Sequence, residues 1–175
     1  MTQAVGRLPY ARRKLLRDPV FGYIHLEDYE ERIIRTSLFR RLSRISQVHA
    51  AFPFYPGVTH TRYEHSIGVA YVAGEFTKFL LEDAVKNGEL NEGERERLVK
   101  LARIWGLIHD IGHGPFSHLF EEVLTSKRGL THEDVGEMVV RESSIADVLS
   151  DHGLDPRSVS KLAVGKLGER KPYVN

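Results

Sequence analysis

The 175-residue sequence predicts an all-α fold with one small β feature near the N-terminus. Three observations carry this prediction. Most apolar residues recur at helical spacing, candidate caps precede those runs, and Gly and Pro punctuate the gaps between them. Only the stretch Asp18-Pro-Val-Phe-Gly-Tyr-Ile-His-Leu26 joins a turn signal to aromatic and β-branched residues, which predicts a short strand or hairpin. The length is enough for one domain with a sizeable core.

Residues 1–17 are polar and basic (Arg7, Arg12, Arg13, Lys14, Arg17) and read as a solvated or partner-contacting arm. From Asp28, a candidate cap, residues Ile33, Ile34, Leu38, Leu42, Ile45 and Val48 predict a helix. Residues 50–58 form a Pro- and Gly-punctuated loop. Thr59 or Thr61 then caps a helix over 62–87 with Ile67, Val72, Phe76 and Leu80 apolar. Gly68 and Gly74 inside it predict close helix packing. After a turn over 87–93 a helix starts charged and ends apolar almost all round, through Trp105, Leu107, Ile108 and Ile111, so it must enter the core. Gly112 and Gly114 break it, and Pro115 suits the first turn of a helix over 116–124. Thr131 and Asp134 form a capping box for the next helix, through Val135, Met138, Val139 and Val140. Ser143 or Ser144 caps a helix over 145–149, and Asp155-Pro156 starts a last one towards Leu167. Residues 169–175 read as a disordered tail.

Composition excludes several classes. A formal net charge of +1 gives no global field for nucleic acid, so nucleic-acid binding is possible but unsupported. No Cys is present, so disulfides and thiolate metal sites are out, which suits a cytoplasmic protein. No apolar run reaches the ~18 residues of a membrane span, and no signal-peptide core opens the chain.

The strongest chemical signal is Trp105-Gly-Leu-Ile-His109-Asp110-Ile-Gly-His113-Gly-Pro115-Phe-Ser-His118. It carries a His-Asp pair into an apolar run, where a charge is costly unless paired or metal-bound. His109 and His113 share a helix face, and Asp110 can reach a centre beside the helix end. With the distant His65, this makes a site for Mn, Fe, Mg, Zn, Co or Ni, which lowers the pKa of bound water and polarises phosphoryl oxygen. Arg62, three residues before His65, suits a phosphate. His49, His60 and His152 read as packed, hydrogen-bonded histidines, and His25 as a surface one.

Several segments together resemble the HD-domain metal-dependent phosphohydrolases, in their deoxynucleoside triphosphate triphosphohydrolase branch. They are Asp18-Pro-Val-Phe-Gly-Tyr-Ile24, Phe39-Arg-Arg-Leu-Ser-Arg-Ile-Ser-Gln47, Phe54-Tyr-Pro-Gly-Val-Thr-His60-Thr-Arg62-Tyr-Glu-His65, His109 to His118, and Thr131-His132-Glu133. The resemblance implies an HD-domain helical bundle over 18–168. It implies His65, His109 and Asp110 as metal ligands and Arg62 as a phosphate contact. His113, His118 and His132 would be catalytic histidines, with His118 protonating the leaving oxygen and Glu121 orienting it. Gln47 would read the sugar 3′-hydroxyl, and Val48 would pack beside the deoxyribose. The implied reaction converts a dNTP to deoxynucleoside and triphosphate, in a cytoplasmic homo-oligomer. Phe21 replaces a family His. The family's fourth ligand, an Asp in a later Asp-x-Asp-Arg segment, does not occur by residue 175, and Asp147, Asp151 and Asp155 lie in another context. The domain is therefore expected to be C-terminally incomplete. Action on monophosphates, cyclic nucleotides or alarmones, or a non-catalytic nucleotide- or metal-binding role, stand as the alternative readings.

Overall fold

The computed structural model describes residues 14–51 and 53–165, apart from the side chain of His118. Most of the basic arm and the C-terminal tail lie outside these residues. Lys14 to Arg17, assigned above to the arm, instead lie in the first strand. Strands β1 (Lys14–Asp18) and β2 (Gly22–Leu26) pair antiparallel, with Leu16 opposite Ile24 and Asp18 opposite Gly22. The Asp18 carboxylate makes the turn by accepting from the backbone N–H groups of Val20 and Phe21, at 2.8 and 2.9 Å. Ile24 carries the hairpin into the core.

Helix α1 (Asp28–Arg35) starts one residue earlier than expected. Glu27 is its cap, in a reciprocal box with Glu30, while Asp28 pairs outward with Lys14 and His152. The single helix expected from Asp28 to Val48 is broken at Thr36. Its hydroxyl donates to the Ile33 carbonyl (2.7 Å) and accepts from the Phe39 N–H (3.2 Å), ending α1 and capping α2 (Ser37–Arg40). A 3₁₀ turn over Arg41–Arg44 follows, and the chain then extends to bridge Ser46 with Thr61.

Helix α3 (Arg62–Leu80) is capped by the Thr61–Glu64 box. It stops short of the expected Asn87, and the short α4 (Glu82–Lys86) completes the segment. Asn91 caps α5 (Glu92–Ile108) through its side chain on the Glu94 N–H. Helices α3 and α5 form the central pair, and glycine makes their approach possible. A Cβ on Gly106 would lie 2.7 Å from Ala70 Cα and N, and one on Gly74 would lie 2.6 Å from Arg103 Cγ. Beyond α5 come a loop over 109–117, α6 (His118–Arg128), α7 (His132–Arg141), α8 (Ser144–Asp151) and α9 (Pro156–Ala163). Helix α7 starts in the expected Thr131–Asp134 box, and Asp155 caps α9.

The core gathers Ile24, Ile33, Phe39, Leu107, Ile111 and Leu149, all at or below 1% exposure. The apolar end of α5 sits in its middle, so the residues that follow Ile108 start from a rigid base. Among the described residues no helix is long and apolar enough to cross a membrane.

Candidate metal centre

His109 follows the last turn of α5, its N–H still bonded to the Trp105 carbonyl. Its Nδ1 lies 2.9 Å from the Gly106 carbonyl. A carbonyl can only accept, so Nδ1 carries the proton and Nε2 presents a lone pair. This is the arrangement that fixes the tautomer of a metal-binding histidine. Nε2 lies 3.3 Å from Asp110 Oδ1. His65, one turn into α3, places its Nε2 3.7 Å from Asp110 Oδ2. One donor atom from each of the three residues lies within 4.8 Å of the others, on the scale of two metal–ligand bonds of about 2.0–2.2 Å. Two imidazoles and a carboxylate fit a divalent transition metal or magnesium.

The electrostatics favour the ligand forms. Burial pushes the His65 imidazole below its ordinary value, against the pull of Asp110, so it stays neutral at neutral pH. Burial alone would raise the Asp110 carboxyl. His109, Arg62 and His113 outweigh it and hold the group below the usual carboxylate range.

Arg62 is buried at the first position of α3, 4% exposed. Its Nη1 donates to Asp110 Oδ2 at 2.5 Å, and its Nε and Nη2 donate to the Ser117 hydroxyl at 3.1 and 2.8 Å. The guanidinium expected to meet phosphate is thus locked to the carboxylate of the candidate metal centre. His113 lies on the other side of Asp110, with Nε2 3.5 Å from Oδ1. Its ring stacks on His132 at 4.0 Å between centroids and 12° between planes. His132 opens α7, and its Nδ1 and backbone N lie 2.7 and 3.2 Å from Glu121 Oε1. Among the described side chains Glu121 meets His132; the His118 side chain it was expected to orient is not one of them. His118 begins α6, and its side chain lies outside the described residues.

Gln47 and Val48 sit on the segment tied to the start of α3. The Gln47 N–H donates to the His60 carbonyl and the Arg62 N–H to the Ile45 carbonyl, at 3.2 and 2.8 Å. Gln47 Oε1 is a buried acceptor with no partner among the described residues, and Val48 is exposed. Asp151 pairs with Arg32 and Asp155 caps α9, so both are engaged elsewhere. His152 is the packed histidine expected, bonded to the Val148 carbonyl, whereas His60 is exposed rather than packed.

Two residues escaped the sequence reading. Arg41 clamps the histidine-bearing loop, donating to the carbonyls of Ile111 and His113. Ser117 holds Arg62. Neither lies at a periodic position or in a metal-ligand pattern. Beside the centre runs a groove of about 840 Å³, with Glu64 and His65 at its polar end and Phe21, Val69, Val72, Phe76 and Trp105 along its walls.

The HD domain family matches residues 62–171. The chain belongs to the HD-domain family. It is 38% identical over 151 residues to the human deoxynucleoside triphosphate triphosphohydrolase SAMHD1, covering 82% of this chain and 23% of that protein. The bovine protein of the same name is 37% identical over 151 residues, covering 82% and 25%. A SAMHD1 homolog from Dictyostelium discoideum is 36% identical over 162 residues, covering 87% and 30%. This HD chain therefore spans about a quarter of the length of the curated relatives it matches.

Proposed function

We propose that this HD domain is a metal-dependent phosphohydrolase that cleaves dNTPs to deoxynucleoside and triphosphate. One observation carries the metal-dependent part. His109, fixed as an Nε2 donor by the Gly106 carbonyl, converges with His65 and Asp110. The dNTP part is supported by the relatives, which are named as deoxynucleoside triphosphate triphosphohydrolases.

A divalent ion bound there would supply a polarised phosphoryl oxygen and a more acidic water. The chain's own residues do the rest. Arg62 has five N–H donors, of which Asp110 and Ser117 take three; one on each terminal nitrogen remains for a phosphate oxygen. The stacked His113 and His132 line the approach, with Glu121 holding the His132 ring in place. Attack of water on the α-phosphorus breaks its bond to the sugar 5′-oxygen, which takes a proton from a histidine. His118 is the assigned donor. Gln47, whose buried Oε1 has no partner among the described residues, is the assigned reader of the sugar hydroxyl, with Val48 beside the ring. A cytoplasmic homo-oligomer belongs to the same reading, and a sizing column with light scattering tests the assembly.

The purified protein is incubated with each dNTP and Mn, Mg, Fe or Co, and inorganic triphosphate is measured. Metal-dependent release, abolished in His109→Ala, is expected. Hydrolysis confined to monophosphates, cyclic nucleotides or alarmones would replace the substrate. Folded protein that hydrolyses nothing, with any metal, would leave a non-catalytic module.

A further inference from the structure

Ser117 stands where a helix-capping residue should, yet it does not cap. It is the residue before α6, and its hydroxyl makes no bond to that helix's backbone N–H groups. Its φ is 49°, and that of Phe116 before it is 61°. Two consecutive non-glycine residues at positive φ are strained and persist only where their surroundings over-determine them. Those surroundings are present. Arg41 clamps the carbonyls of Ile111 and His113, and the Ser117 N–H donates to the Gly114 carbonyl. The strained turn delivers one side chain, 3% exposed, whose oxygen accepts from both Nε and Nη2 of Arg62.

The Nε–Nη2 edge of a guanidinium is the fork that grips a carboxylate bidentately. Here Ser117 fills that fork, and Arg62 reaches Asp110 through Nη1 alone, on Oδ2. Asp110 Oδ1 is left to face His109 and His113. We propose that Ser117 is a positioning residue that occupies the Arg62 fork and so prevents a bidentate Arg62–Asp110 pair from competing with a divalent cation for Asp110. This rests on the metal-centre reading above.

The test uses Ser117→Gly, which removes the hydroxyl and relieves the positive φ, so the fold should not suffer. Mn affinity is measured by calorimetric titration in the wild type, in Ser117→Gly, in Arg62→Lys, and in the double variant. Lysine keeps the charge beside Asp110 but has no fork. The expected result is Mn binding weakened about tenfold or more in Ser117→Gly, with an unchanged melting temperature. The same Ser117→Gly change made in the Arg62→Lys background should have no effect, because the two residues act as one unit. Equal Mn affinity in wild type and Ser117→Gly overturns the proposal, as does an equal loss in both backgrounds. A wild type that binds no Mn overturns the metal centre itself, and the proposal with it; binding that is merely insensitive to Ser117 overturns the proposal alone.

Discussion

Arg103 and Glu30 form a buried, two-pronged ion pair. Nε and Nη2 of Arg103 each lie 2.7 Å from one oxygen of Glu30, which is 1% exposed. Nη2 also holds the His25 carbonyl at 3.0 Å, so one side chain ties α5 to both α1 and the hairpin. Burial works against the Arg103 charge, yet Glu30 more than restores it, and the guanidinium sits above its ordinary value. Arg103→Met strands the carboxylate in the core and should cost about 3–5 kcal/mol in urea unfolding. Arg103→Met with Glu30→Met should recover most of that loss, since no unpaired charge then remains.

Two glycines face each other where the histidine-bearing loop meets α7, and they should respond oppositely. A Cβ on Gly112 would sit 1.9 Å from the His132 carbonyl oxygen and 2.5 Å from Gly136 N. Gly112→Ala therefore forces the loop and α7 apart, costing roughly 1–3 kcal/mol or more, and moves His132 away from His113. On Gly136 the nearest atom to an added Cβ is 3.5 Å away, an ordinary contact. Gly136→Ala should be neutral or stabilise by up to about 1 kcal/mol through helix propensity. Melting temperatures of both variants check the pair.

Metal should stabilise the fold through the three donors. At a concentration 100-fold above its dissociation constant, a ligand that binds only the folded state adds about 2.7 kcal/mol. For a chain of this size that is a rise of roughly 5–10 °C in melting temperature. His109→Ala should abolish the rise. His60→Ala, on the exposed loop residue beside the groove, should retain it. A rise that survives His109→Ala would place the metal elsewhere.

Asp155 predicts a pH dependence at α9. Its carboxylate accepts from the Ser158 hydroxyl and from the N–H groups of Arg157 and Ser158. The Ser158 hydroxyl, followed by the Arg157 N–H, holds its pKa below the ordinary value. A depressed folded-state pKa gives stability that is present above the unfolded value and lost as pH falls through the folded one. The melting-temperature gap between wild type and Asp155→Ala should be widest near neutrality and narrow below about pH 4.

The sequence carried the parts of this molecule that depend on local chemistry. Thr131 was readable as a cap because its partner lies three residues on, Thr61 only as one of two candidates beside Thr59, and His109–Asp110 because an apolar run cannot host them unaided. What it did not carry are side chains that bind distant backbone or adopt rare conformations. Thr36 can sit in a helix or end one, and only its neighbours decide that its hydroxyl ends α1. Pro115 looks like a helix start, but the positive φ values of Phe116 and Ser117 delay α6 to His118. Arg41 is one of five arginines between residues 32 and 44, and no pattern marks it as the clamp on a loop some 70 residues away. Local signals thus pointed to the candidate metal donors, while the residues that hold them in place emerge only from the tertiary structure.

The groove beside His65 has a practical consequence. Val20 on the hairpin turn is 79% exposed, and along α3 Val72, Phe76 and Phe79 are 47%, 59% and 71% exposed. The oily groove that Val20, Val72 and Phe76 line takes up anilinonaphthalene dyes, whose fluorescence is customarily read as a sign of loosened packing. The folded chain should light such dyes before any denaturant is added, so a dye-based melt would start bright and understate the transition. Near-ultraviolet circular dichroism, which follows the core aromatics instead, is the better gauge for every variant above.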